Sequence, residues 1–212
     1  MLNGVIWLGS GSLDAKIAEA RRRLTDRPWF WWVGVDSDPA TRDALAAVGG
    51  ESVGVSPIMA IRTDAVRSVP RPANLRVDRL AEGAPLLPWV TAYAPPMGVR
   101  EADIPLVVAA EEARGYAPGT LIRFAAWVDG QIVGVSELFL ADGVAGIYLV
   151  ATDEAWRRRG VGAAVTSAAL ALARELGFAV ATLQATPMGE PLYRRLGFVT
   201  VSEYEILTLP PL

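Results

Sequence analysis

The apolar and polar positions fall into stretches of two distinct periods, and their alternation predicts the elements of the chain. Leu13, Ile17, Ala20 and Leu24 recur at helical spacing and predict a helix over 14–24, with Ser12 placed to cap it. Short apolar and aromatic runs at Val5–Leu8, Trp29–Val35 and Ser52–Ile61 predict strands. Between the last two, Ser37 or Asp38 followed by Pro39 opens a second helix that Gly49 closes. Residues 1–68 therefore have the order strand, helix, strand, helix, strand. The run Val69-Pro70-Arg71-Pro72-Ala73-Asn74 interrupts the pattern. Its two prolines disfavour helix and lack the donor that a central strand needs. Residues 69–74 are thus expected to link the first segment to a longer one, 75–212.

In the longer segment, Leu75–Leu80 alternates as a strand. Two helical stretches, near Pro85–Tyr93 and Glu101–Arg114, are separated by Ala94-Pro95-Pro96. Three strands follow, joined at Asp129-Gly130 and Asp142-Gly143. Asp-Gly between apolar runs favours a two-residue type I′ hairpin, because both turn residues need positive φ. A two-residue second turn pairs Ala141 with Val144, Phe139 with Gly146 and Glu137 with Tyr148. A helix over Gly162–Leu176 stops at Gly177, and Phe178–Gln184 forms a buried strand. A short helix containing Pro191–Leu196 ends at Gly197, and Phe198–Leu209 supplies a last strand or hairpin. The expected fold class is mixed α/β (α+β). The run Leu45–Gly49 leading into a strand parallels Tyr193–Gly197 leading into a strand. Internal duplication and chance similarity of two β–α–β units both account for that parallel.

Composition narrows the chemistry. Of the 212 residues 52% are hydrophobic, enough to bury a substantial core. No uncharged apolar run reaches the length of a membrane span, and no basic residue precedes the short apolar stretch at the N-terminus. A soluble cytoplasmic protein, with no membrane partner, is expected. There is no Cys, which excludes disulfides and thiolate chemistry, and no His, which removes the usual general base and most zinc sites. No metal is expected, and acid–base work falls to Asp, Glu, Tyr, Lys16, a terminus or water. A net charge of −3 argues against general nucleic-acid binding.

The strongest chemical signal is Arg157-Arg158-Arg159-Gly160-Val161-Gly162, between a buried strand (Ile147–Ala151) and a helix. A turn opening a helix presents unpaired backbone N–H groups at the positive end of the dipole, and arginines add forked donors for phosphate. An isolated motif of this kind is also what an exposed basic loop capping a helix looks like. Here it is followed at the proper distance by Leu192-Tyr193-Arg194-Arg195-Leu196-Gly197-Phe198. The strand, the R-x-x-G-x-G loop, the helix, the next strand and L-Y-x-x-L-G-F, in that order, resemble the GNAT acyltransferases over residues 74–209. Residues 1–68 resemble a degenerate C-terminal half of the same fold without the loop.

That resemblance implies a central twisted, mostly antiparallel sheet flanked by helices and splayed between the family's fourth and fifth strands. It implies acetyl-CoA as co-substrate: the backbone of Leu149, Val150 and Ala151 would pair with pantetheine, and Arg157, Arg158, Arg159, Gly160, Val161, Gly162 and Ala163 would hold the pyrophosphate. It implies N-acetylation of a small-molecule or peptide amine by direct attack. A non-catalytic acyl-CoA-binding module and transfer of a longer acyl group are the alternatives. Tyr193 matches the family's general acid, and the residues alone also allow a core tyrosine beside Leu192 and Leu196. The family's strand-four Glu is replaced by Gly146, so the base must be found elsewhere. Glu137, one pair from Gly146 on the same face with Val135 and Phe139 beside it, is the candidate. A carboxylate among apolar groups has a raised pKa, as a base working near neutrality needs. A solvated Glu near a strand end and a base made of ordered water are the competing readings. The acceptor side falls on residues 86–114, including Trp89, Tyr93, Pro95, Pro96 and Met97, where the apolar content points to a hydrophobic acceptor or to plain core.

Overall fold

The computed structural model describes residues 4–5, 12–24 and 29–210. The chain forms two compact units: residues 1–58, 185–187 and 200–212, and residues 59–184 and 188–199. No helix among the described residues is long and apolar enough to cross a membrane.

The smaller unit contains β1 (Gly4–Val5), α1 (Leu13–Arg23), β2 (Phe30–Val33), α2 (Thr41–Ala47), the start of β3 (Glu51–Arg62) and most of β9 (Val199–Thr208). Its strands lie in the order β1, β2, β9, β3. β1 runs parallel to β2, and β2 antiparallel to β9 with Trp31 opposite Leu207. Ser12 caps α1 as expected, its hydroxyl accepting the Ala15 N–H at 3.3 Å. Ile17 and Ala20 of α1 then pack with Trp31, Leu45 and Leu207 in one core. Of the strand expected at Val5–Leu8, only Val5 lies among the described residues. β2 stops at Val33 because Gly34 and Ser37 close a turn, with the Ser37 N–H donating to the Gly34 carbonyl at 3.0 Å. Neither Ser37 nor Asp38 caps α2. The Asp38 carboxylate accepts the Ala40 N–H at 2.9 Å and its carbonyl accepts the Thr41 N–H at 2.8 Å, so the local bonds of Asp38 build a separate turn before the helix.

The larger unit contains β4 (Arg76–Arg79), α3 (Leu87–Tyr93), α4 (Ile104–Glu112), β5 (Leu121–Val128), β6 (Gln131–Ala141), β7 (Val144–Thr152), α5 (Val161–Glu175), β8 (Val180–Gln184) and α6 (Glu190–Leu196). Its strands lie in the order β3, β8, β7, β6, β5, β4. Pairing is antiparallel from β4 to β7 and parallel between β7 and β8. Both Asp-Gly turns have the expected geometry: Asp129 and Asp142 at φ 48°, Gly130 at 81° and Gly143 at 77°. The helix expected over Glu101–Arg114 is split into a 3₁₀ turn over 101–103 and α4, since Pro105 starts a new helix at its first turn.

Helices cover both faces of this sheet. On one, Trp89, Val90 and Tyr93 of α3 and Val107 of α4 pack on Ala125, Val135 and Ala151. On the other, Val161, Ala164 and Val165 of α5 pack on Ala126, Val128 and Val133. Trp89 is fully buried, and its indole N–H donates to the Phe124 carbonyl at 2.9 Å. Truncating such an anchor to Ala removes about 3–5 kcal/mol of stability. Residues 65–72 have no regular structure, yet backbone bonds just before and within them tie the segment down. Thr63 N–H donates to the Ala179 carbonyl at 3.0 Å, and Arg67 N–H to the Leu196 carbonyl at 2.8 Å.

Candidate active site

Two irregularities in β7 set the site. β7 pairs with β8 only at Val144/Val180, Ala145/Ala181 and Gly146/Thr182, although β7 continues to Thr152 and β8 to Gln184. The parallel pair therefore opens after Gly146. Against β6, Glu137 faces Tyr148 while Val135 faces Ala151, so Leu149 and Val150 together stand opposite Ser136. Such a bulge bends the strand and interrupts its ladder. Leu149 takes φ 50°, a left-handed conformation that costs a side-chain-bearing residue about 1–2 kcal/mol. Leu149 packs toward the α3–α4 core and Val150 toward the α5 core. The edge of β7 from Tyr148 to Thr152 has no β8 residue beside it.

The loop after β7 is the second component. The Asp153 carboxylate accepts the Ala155 N–H at 2.9 Å and starts a 3₁₀ turn over 154–156. Arg158 (φ 61°) and Gly160 (φ 85°) then reverse the backbone into α5. The Ala164 N–H donates to the Gly160 carbonyl at 3.0 Å, and no side chain caps the helix. That leaves the N–H groups of Val161, Gly162 and Ala163 without intrahelical partners, at the positive end of a 15-residue helix. A pyrophosphate is the kind of group this donor set suits.

Gly160 is demanded twice over. Besides its positive φ, a Cβ there would stand 2.3 Å from the Pro70 carbonyl oxygen and 3.2 Å from the Arg71 Cα. The segment read as a linker thus lies against the loop that opens α5. It brings exposed Arg71 next to Gly160, a neighbour that linear reading does not reveal. Arg158 and Arg159 are exposed, with the Arg159 guanidinium 5.0 Å above the Trp156 ring, and Arg157 lies 3.7 Å from Glu154. Leu192 of α6 comes within 3.1 Å of where a Gly162 Cβ would be, so α6 lies against the first turn of α5.

Tyr193, the next residue of α6, is buried and meets Phe198 edge-on at 5.8 Å. Burial pushes its phenol up to about 12, so the ring keeps its proton at neutral pH. Glu137 pairs with Tyr148, as the turn count predicts, and is buried. Its surroundings are not the apolar ones expected. Arg114 reaches both of its carboxylate oxygens at 3.1 and 3.2 Å, and Arg123 Nε stands 3.4 Å away. The same two arginines hold buried Glu111 at 3.1 and 2.7 Å, and the Tyr93 hydroxyl donates to Glu111 at 3.3 Å. Burial and the charge of Glu111 push the Glu137 carboxyl up, against the pull of Arg114 and Arg123.

Other acceptor-side expectations change. Trp89 and Tyr93 belong to the core, while Met97 is partly buried against it. Among the described residues, the exposed aromatic rings are Tyr148, 42% exposed, and Tyr116, 49% exposed and edge-on to Phe139 at 5.0 Å. A Cβ at Gly146 would stand 2.5 Å from the Tyr148 ring, so that ring occupies the space beside the position where the resemblance implies a Glu. Among the described residues no cluster of three or more potential metal ligands occurs.

Residues 98–206 match the family described as Acetyltransferase (GNAT) domain. Solved structures share the fold. A GCN5-related N-acetyltransferase from Kribbella flavida has a TM-score of 0.71 at 23% identity, over 99% of this chain and 79% of that one. A GCN5-related N-acetyltransferase from Sphaerobacter thermophilus has a TM-score of 0.71 at 18% identity, over 92% of this chain and 65% of that one. A tandem GNAT protein from the clavulanic acid biosynthesis pathway has a TM-score of 0.64 at 16% identity, over 92% of this chain and 68% of that one. No curated protein matches the sequence.

Proposed function

Since the chain belongs to the GNAT acetyltransferase family, we propose that it moves the acetyl group of acetyl-CoA to a primary amine of a small molecule or peptide. One observation carries the reading: the opened edge of β7 is joined by the short loop 153–160 to the uncapped N-terminus of α5. A ligand with an extended amide-bearing arm and a pyrophosphate fits that pair of features. Leu149, Val150 and Ala151 would hold the arm. The N–H groups of Val161, Gly162 and Ala163, with Arg157, Arg158 and Arg159 around Gly160, would hold the phosphates.

The proposed chemistry forms one C–N bond and breaks one C–S bond. The amine nitrogen attacks the thioester carbonyl and loses a proton. Glu137 accepts that proton through water, because Arg114 already engages both carboxylate oxygens. The sulfur leaves with the C–S electron pair, and Tyr193 protonates it. The phenol is protonated at neutral pH and so has the proton to give, while burial makes it a weaker donor than a free tyrosine.

The N-terminal segment is read as a companion half of the same fold. In support, α2 and α6 both lead through a positive-φ glycine (Gly49 at 85°, Gly197 at 109°) into a strand, β3 or β9. Leu45 and Tyr193 occupy matching buried positions four residues before those glycines.

A non-catalytic acyl-CoA-binding module is favoured by a single feature, Gly146 in place of a strand-four Glu. Acetyl-CoA mixed with a broad panel of primary amines, with released thiol detected, separates the readings. Turnover with at least one amine is expected. Calorimetric binding of acetyl-CoA with no thiol release from any amine would favour the binding module.

A further inference from the structure

We propose that the acceptor carries its amine on an aromatic ring or a similarly flat apolar group, held by Tyr116, Phe139 and Tyr148; this rests on the transferase reading. One ring lies over Gly146, a second belongs to its strand partner, and a third meets that partner. Phe139 pairs directly with Gly146, and directly paired residues share a face of the sheet. Tyr148, two residues on and so on that face, folds its ring back across Gly146: a Cβ at 146 would lie 2.5 Å from its Cε2 and 3.0 Å from its hydroxyl. Tyr116 stands edge-on to Phe139 at 5.0 Å. Gly146 is also the last residue of β7 that pairs with β8, so the Tyr148 ring stands where the opening begins, with Phe139 paired beside it.

Large aromatic side chains bury most of their surface in folded proteins, and single exposed ones are unremarkable. A group of three is different when two members remain 42% and 49% exposed and two are fixed on paired strands. Such a group is a pre-formed apolar contact for a ligand. The charged groups nearby supply the other half of the inference. Glu111 and Glu137 are each held by both Arg114 and Arg123, so two negative and two positive charges cancel. That network leaves no net charge to recognise an acidic or phosphorylated acceptor. Ring faces remain, and they stack on a flat group and attract an ammonium before it gives up its proton.

The test uses the full chain saturated with coenzyme A and two probes, 2-phenylethylamine and n-butylamine, titrated by calorimetry. The aromatic amine should bind about tenfold or more tightly than the aliphatic one. Tyr148→Ala should abolish that preference, and Tyr148→Phe should keep it. Coenzyme A affinity should be the same in all three proteins. Equal binding of the two amines, binding of neither, or a preference that survives Tyr148→Ala would overturn the proposal. Preference as predicted, without acetyl transfer to these or to any amine of the broad panel, would leave the aromatic site standing and remove the transferase reading instead.

Discussion

Glu137 must hold a negative charge in a nearly dry place. Burial and Glu111 raise its pKa above the ordinary carboxylate range while Arg114 and Arg123 restrain the rise. A carboxyl with a raised folded-state pKa contributes stability that is fully present below its unfolded pKa. That contribution is lost as pH rises through the folded value. The proposed role as base runs the other way, since the carboxylate is needed. The acid limb of kcat/KM should therefore lie above the usual Glu value of about 4.3. Glu137→Gln should lower the rate by about 10²–10⁴-fold and remove that limb. It also leaves two guanidiniums one carboxylate short, which in a buried network costs up to about 3–5 kcal/mol, so thermal unfolding must be followed alongside. A wild-type rate with an unshifted limb would take Glu137 out of the proton path. Tyr193→Phe should lower kcat and keep acetyl-CoA affinity. With the Tyr193 phenol near 12, no alkaline limb from it should appear below pH 10. The pairing of Glu137 with Tyr148 was legible by counting back from Asp142-Gly143. Its pairing with Arg123 was not. The same count from Asp129-Gly130 puts Arg123 opposite Ser136, but a bulge at Ala126/Trp127 shifts the register by one and brings Arg123 onto the face of Glu137.

At the scale of elements, the junction of β7 and α5 makes the proposed site. Gly160→Ala would force a side chain into a left-handed conformation, worth about 1–2 kcal/mol, and drive a Cβ toward the Pro70 carbonyl 2.3 Å away. A chain of this size loses about 2–4 °C of Tm per kcal/mol, so a clear drop is expected in differential scanning calorimetry. Weakened coenzyme A binding in that variant would not isolate the phosphate contacts. Arg158→Glu combined with Arg159→Glu does, because both side chains are exposed. Acetyl-CoA affinity should fall about tenfold to a hundredfold for each charge-assisted bond lost, with Tm nearly unchanged. Unchanged affinity would move the phosphates elsewhere. Most elements were legible because their signals are local: Ser12 caps α1, Asp-Gly closes both hairpins, and Gly177 and Gly197 end α5 and α6. The starts of α2 and α4 were misjudged where local bonds of Asp38 and the missing N–H of Pro105 overrode the apolar period.

At the scale of the whole molecule, the compact units are not contiguous in sequence. Trp31 pairs across to Leu207, and residues 59–62 of β3 group with the larger unit. A linear reading places boundaries at prolines, as at Pro70 and Pro72, whereas strand pairing joins residues far apart along the chain. For the same reason the approach of Pro70 and Arg71 to Gly160 could not be read in advance. The central claim is that coenzyme A lies along the open edge of β7 with its phosphates at the start of α5. Backbone amide NMR of the chain titrated with coenzyme A tests it most directly. The largest shifts should fall on Leu149–Ala151 and Arg157–Ala163, with Phe30–Val33 and Thr41–Ala47 unmoved. Shifts centred on those smaller-unit residues, with the amides of Val161, Gly162 and Ala163 unchanged, would contradict it.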